Sequence, residues 1–229
     1  MQFWVLSLFP NLITTYSQTS IMGRALQKNQ ISIHTVNPRE FAPDMYHKVD
    51  DAPYGGGPGM VMQYAPLQQA IQAAKIQAPA AKVVMLSPDG LLFNQAMAQQ
   101  AAQQKAFILV AGRYEGIDER LIEDAIDEQW SVGDYVVSGG ELPAMLVIDA
   151  ITRLLPGVLG HAQSAQQDSF SQGLLDCPHY TRPPVIAGKT VPSVLQSGHH
   201  AAIARWRLKQ SLGKTWQKRP DLIKRHVLT

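Results

Sequence analysis

Three apolar runs of this chain each give way at once to a glycine-bearing turn, and that recurrence limits the fold more than any other feature. They are "VVMLSPDG" (83–90), "FILVAGRYEG" (107–116) and "DYVVSGG" (134–140). Short apolar runs bounded by turn formers, alternating with helical patterns, predict βα units and so a parallel α/β sheet with helices on both faces. The strands are expected at 5–9, 31–36, 82–86, 107–110 and inside 129–137. The helices are expected at 12–28, 65–78, 94–105, 118–126 and 143–154, with Gly23 weakening the first. Pro10-Asn11 should stop the first strand, and Ser87-Pro88-Asp89-Gly90 the third. Residues 50–60, "DDAPYGGGPGM", are too rich in Gly and Pro for either element.

Beyond residue 159 the pattern changes. "GHAQSAQQDSFSQ" (160–172) is polar and aperiodic and reads as a linker between an α/β domain (1–159) and a small helical module (173–229). The main helix of that module is expected at 199–212. The net charge of +2 hides a split along the chain. Residues 1–181 hold 10 Lys and Arg against 17 Asp and Glu, a net −7. Residues 182–229 hold 10 against Asp221 alone, a net +9. A basic module on an acidic body suits a polyanion, although a solvated helix face, a membrane or a protein partner would use the same charge. No apolar run approaches the roughly 20 residues of a membrane helix. The N-terminal "MQFWVL" lacks a basic leader segment and reads as a strand, not a signal peptide. Cys177 is the single cysteine, which excludes a disulfide within the chain and fits the cytoplasm.

Familiar motifs fail on spacing. A phosphate loop at Gly188-Lys189-Thr190 or Gly213-Lys214-Thr215 would need glycine at Pro183 or Leu208. The dinucleotide fingerprint fails at Met60, and His161, His179, His199, His200 and Cys177 form no recognisable ligand set. What remains is the three turns. In open α/β sheets ligands bind outside the carboxyl ends of strands, where glycine lets backbone groups approach them. Leu86, Val132 and Val137 are placed to sandwich a flat base, and only Arg113 among the turns is basic. Such a pocket suits a nucleoside without phosphates. Ordinary βα turns share this composition, so the pattern alone does not choose.

Longer motifs do. "SLFP" (7–10), "VDDAPYGGGPGM" (49–60), "GRYEGIDER" (112–120), "SGGELPAM" (138–145), "PGVLGH" (156–161), "GLLDCPHYTRP" (173–183) and "RWRLKQSLG" (205–213) cover nearly the whole chain. On these the sequence resembles the bacterial tRNA (guanine-N1)-methyltransferases of the knotted SPOUT class, which modify guanosine at tRNA position 37. The resemblance implies a trefoil knot near the end of the α/β domain. It also implies S-adenosylmethionine bent within that knot, dependence on magnesium at a site no motif identifies, and an obligate homodimer that shares its active sites. It carries over, as cofactor-binding residues, Leu86, Ser87 and Pro88, then Gly112, Tyr114, Glu115 and Gly116. Val132, Gly133, Asp134, Tyr135, Val136, Val137, Gly139, Gly140 and Pro143 complete that set. Asp168 resembles the general base, Arg153 the arginine that stabilises charge on the base, and Glu115 a catalytic-set residue facing the sulfonium or amino end of the cofactor. Asp50, Gly57, Gly59 and Ser169 fall on the target-base side, and Arg182, Arg205, Arg207, Lys209 and Lys214 on the tRNA backbone. Without the resemblance, Asp168 would read as a turn or helix-cap residue and Arg153 as a helix C-cap.

Overall fold

The computed structural model describes residues 1–160 and 164–227. Residues 161–163 of the expected linker, His161 among them, and residues 228–229 lie outside the described residues. The chain divides into two compact units, Met1–Gly160 and His161–Thr229.

The first unit runs β1 (Gln2–Leu6), α1 (Pro10–Ser17), α2 (Ser20–Gln27), β2 (Ser32–Val36), β3 (Asp50–Asp51), β4 (Val61–Met62), α3 (Tyr64–Gln77), β5 (Lys82–Leu92), α4 (Gln95–Ala101), β6 (Ala106–Ala111), α5 (Glu119–Ala125), β7 (Glu128–Ser131) and α6 (Glu141–Thr152). Five strands form one sheet in the order β2-β1-β6-β5-β7, and every pairing in it is parallel. Strand period decides the layering. Phe107 and Leu109 of β6 point into a core shared with α1, α2, α4 and α6, whereas Ile108 and Val110 point into one shared with α3 and α5. A sheet covered by helices on both faces explains why its strands read as unbroken apolar runs.

Several boundaries differ from the sequence reading, each for a local reason. Pro10 does not merely stop the first strand, which ends at Leu6; it opens α1, where a proline costs no hydrogen bond. The expected helix 12–28 is two helices. Gly23, inside α2, lets that helix pack against the junction, since a Cβ there would lie 2.4 Å from the carbonyl oxygen of Gln18. The "SPDG" turn does not close β5. The strand leaves the β7 ladder after Leu86 and rejoins it at Leu91, both residues registering with Trp130. Gly90 allows the return, because a Cβ would meet Trp130 N at 2.4 Å. "DYVV" is not strand. β7 ends at Ser131, Gly133 takes φ +151, and Val136 is 88% exposed. The glycine-rich segment 52–60 is closed at its base by the two-residue antiparallel ladder β3–β4.

The second unit contains α7 (Ser164–Gln167), the hairpin β8 (Val185–Ile186) with β9 (Lys189–Thr190), α8 (Ser193–Gln196), α9 (His200–Lys218) and α10 (Pro220–Val227). The short hairpin interrupts what composition presented as purely helical. α9 extends well past the expected end at Leu212 and carries Gly213 within it, so a single glycine does not end the helix. Buried Thr215 ties the helix to the preceding segment, its Oγ accepting from Leu175 N at 2.9 Å.

Candidate active site

A cavity of about 390 Å³ opens at the carboxyl ends of β5, β6 and β7, within the size range of small-molecule sites. Leu86, Ser87 and Pro88 line it from the excursion of β5. Gly112, Tyr114, Glu115 and Gly116 line it from the turn after β6. Val132, Gly133, Tyr135, Val136, Val137, Gly139 and Gly140 contribute from the segment after β7, and Pro143 from the first turn of α6. Of the expected cofactor residues Asp134 alone is not among the lining residues; its side chain is exposed.

The lining also includes Met85, Asp89, Arg113, Ile117, Glu119, Ile122, Trp130, Ser131 and Ser138. Asp89, Arg113 and Ser138 lie within the three turns that the sequence singles out; the others carry no turn signal. Trp130 and Ser131 end a strand, and Ile122 lies on α5. Only the alternation of inward positions would have pointed to them.

Backbone geometry holds the walls. Tyr114 takes φ +61, in the left-handed region that non-glycine residues seldom occupy. The strain is held in place because the turn is stitched to the glycine-rich segment. Glu115 N donates to Met60 O and Met62 N to Gly116 O, both at 2.9 Å. Gly59, at φ +81, lies so close that a Cβ would sit 2.3 Å from Glu115 Oε1. The structure therefore brings Gly59 and Glu115 together. Gly57 has φ +117 and open space about it, and Asp50 pairs with Met62 at the base of the loop. Gly140 N donates to Gly112 O at 2.8 Å, and a Cβ on Gly140 would lie 2.6 Å from Ala111 Cα. The segments after β6 and β7 thus cross backbone against backbone.

Arg153 is the C-cap of α6, its N–H donating to Asp149 O at 3.1 Å. Asp168 and Ser169 belong to the second unit, half-buried just after α7. Ser171 N donates to Asp168 O at 3.2 Å, and Asp176 N to Ser169 Oγ at 3.0 Å. Arg205, Arg207 and Lys209 are exposed on α9, and Arg182 is exposed ahead of the hairpin. Lys214 is half-buried, and its ammonium donates to Asp176 O at 2.9 Å.

One group of possible metal ligands stands out among the described residues: Asp176, Cys177 and His179, with ligand atoms within 4.8 Å of one another. Its chemistry does not suit magnesium, which takes oxygen ligands. His179 Nε2 already lies 2.6 Å from Asp176 Oδ2. Burial, then the charge of Asp176 and its hydrogen bond, push the Cys177 thiol up, away from the thiolate form that binds metal. No helix among the described residues is long and apolar enough to cross a membrane.

A family model described as tRNA (guanine-1)-methyltransferase TrmD matches residues 1–225. A tRNA (guanine-N(1)-)-methyltransferase of Methylococcus capsulatus is 59% identical, the match covering 100% of this chain and 92% of that protein. Proteins of the same name from Coxiella burnetii and Pseudomonas syringae pv. tomato are 58% and 56% identical, each match covering 98% of this chain. It covers 92% of the former and 90% of the latter.

Proposed function

The chain belongs to the tRNA (guanine-1)-methyltransferase family, and from that premise we propose that it transfers a methyl group from S-adenosylmethionine to N1 of guanosine 37 in tRNA, beside the anticodon. The observation that carries the reading is the cavity at the ends of β5, β6 and β7. Among the described residues its walls combine apolar side chains, glycines where a ligand must come close, and three carboxylates against the single cation Arg113, which fits an adenosine that carries no phosphate. When bound, S-adenosylmethionine supplies an electrophilic methyl group on a sulfonium.

Guanine N1 carries a proton at neutral pH, so its lone pair is free only once that proton has gone. Asp168 takes the proton as general base. Arg153 offers a planar, permanent cation to the negative charge that builds on O6. Glu115 faces the sulfonium or amino end of the cofactor, and the 50–60 loop is assigned to the target base. That base must leave its stack, which costs less in a single-stranded loop. Magnesium dependence is part of the same reading, with no described residue assigned to hold the ion.

The reading extends to the architecture. A trefoil knot is supported by the backbone crossing of Gly140 against Ala111 and Gly112. A homodimer is supported by exposed apolar side chains on two helices in contact: Leu142 and Leu146 of α6 are 62% and 46% exposed, and Leu12 of α1 is 47% exposed. In this division residues 1–159 bind the cofactor, 160–172 link, and 173–229 grip the tRNA backbone; a tRNA substrate puts the protein in the cytoplasm.

The test is incubation with methyl-labelled S-adenosylmethionine and tRNA transcripts with and without guanosine at position 37. Label in neither transcript sinks the activity, and label in both sinks the position. Asp168→Asn is expected to bind cofactor normally while losing methyl transfer by about 10²-fold or more; activity near wild type would remove Asp168 as base.

A further inference from the structure

Arg113 is the cationic side chain among those lining the cavity, yet its guanidinium is turned inward. Nε donates to Glu141 Oε2 at 2.8 Å, Nη2 lies 2.8 Å from the same oxygen, and Nη1 donates to Ser138 O at 3.0 Å. Glu141 is 1% exposed, and its other oxygen accepts from Ser7 Oγ at 2.7 Å. The ring of Phe9 sits 4.4 Å from the guanidinium carbon. Gly139 makes the room, since a Cβ there would fall 2.3 Å from Arg113 Nε.

A buried ion pair seldom adds stability over an apolar pair of the same shape. What this one supplies is geometry. Its planar fork fixes Ser138 and Glu141, and through Ser7 joins the end of β1, the turn after β6 and the start of α6. It also supplies a cancellation: the strongest bonds in the cavity wall leave no net charge there. Glu141 is not itself among the lining residues, whose carboxylates are Asp89, Glu115 and Glu119.

We propose that Glu141 is a positioning residue for cofactor selection: it anchors Arg113 and the 138–141 segment while masking the arginine's charge, so that the cavity favours a cationic methyl donor over its neutral product. This rests on reading the cavity as the S-adenosylmethionine site. The donor carries a sulfonium; S-adenosylhomocysteine, the product, is a neutral thioether at the same position. An unmasked cation in the wall would therefore weaken the donor more than the product, whereas a loosened wall would weaken both alike.

Calorimetric titration of the full chain with each compound separates these effects. Glu141→Gln keeps one acceptor oxygen for Arg113, turns its amide NH2 to Ser7 Oγ, which then accepts, and removes the charge. It is expected to lower affinity for the donor on the order of tenfold more than affinity for the product. Arg113→Gln with Glu141→Gln removes both charges and is expected to weaken both compounds equally, restoring the wild-type ratio. An unchanged ratio in folded Glu141→Gln overturns the proposal, and so does a displaced ratio in the double variant. The double variant carries no unpaired buried charge, so a displaced ratio in it overturns the proposal even if the single variant does not fold. A wild-type chain that binds neither compound overturns the cofactor reading itself; one that binds both, with no shift in Glu141→Gln, overturns only the role of Glu141.

Discussion

Gly140 has an ordinary φ of −75, so its backbone conformation does not call for glycine. Space does: the nearest atoms to a Cβ are backbone, Ala111 Cα at 2.6 Å and Gly112 N at 2.9 Å, and backbone cannot rotate away. Gly140→Ala is expected to destabilise the first unit by about 1–3 kcal/mol, as overpacking does, and to lower cofactor affinity. Thermal melting and titration with S-adenosylmethionine check it. Tyr16 is a second single-residue case. Its hydroxyl donates to Asp149 Oδ1 at 2.9 Å, and burial, then that bond and the carboxylate charge, raise its pKa from 10.0 to about 12. A folded pKa above the unfolded one gives stability that is complete below pH 10 and is lost as pH rises through about 12. The urea midpoint of wild type should therefore fall relative to Tyr16→Phe across that window, with a constant difference below it.

Elements were legible where one period ran unbroken. α3, β6 and α5 fall within a residue or two of their expected places because their apolar positions repeat cleanly and Asp118 caps α5 through Arg120 N at 3.1 Å. Legibility failed where a turn signal served something other than termination. "SPDG" holds a proline and a glycine, yet the ladder to β7 resumes beyond it. "YVV" has strand composition, but a strand needs a partner, and the sheet edge is already taken by residues 128–131. The cavity was legible as a place, the ends of three strands, and most of its residues with it. The fork of Arg113 was not, since it depends on Ser7 and Glu141, 134 positions apart. At this scale α9 makes its own prediction. Arg205, Arg207 and Lys209 stand exposed, whereas Lys214 is tied to Asp176. Replacing the first three with Ala is expected to flatten the salt dependence of tRNA binding. The log–log slope should fall by about 0.7–0.9 for each phosphate no longer neutralised, with Lys214→Ala changing it less; filter binding across a salt series reads both.

For the whole molecule the decisive surface is the α1–α6 face. Leu142 and Leu146 lie a helical turn apart and outward, opposite the α6 residues Val147, Ile148 and Ile151 that fill the core. Leu142→Asp with Leu146→Asp is expected to leave the fold intact and convert a dimer to monomers in light scattering, with methyl transfer lost if active sites are shared. An unaltered mass would place the subunit interface elsewhere.

The excursion of β5 carries a further consequence, for ligand traffic. Residues 87–90 are tethered on both sides by one ladder, so they cannot swing aside without tearing a sheet. The turn at 112–116 is sewn to Met60 and Met62, and Ser138 is gripped by Arg113. Between these walls, 134–137 joins no strand and is exposed along its length, while Tyr135, Val136 and Val137 still line the cavity. That stretch is the expected way in and out: a substitution that stiffens it should lengthen the residence time of a bound ligand, measured by stopped-flow release, while changes within the sheet should leave it alone.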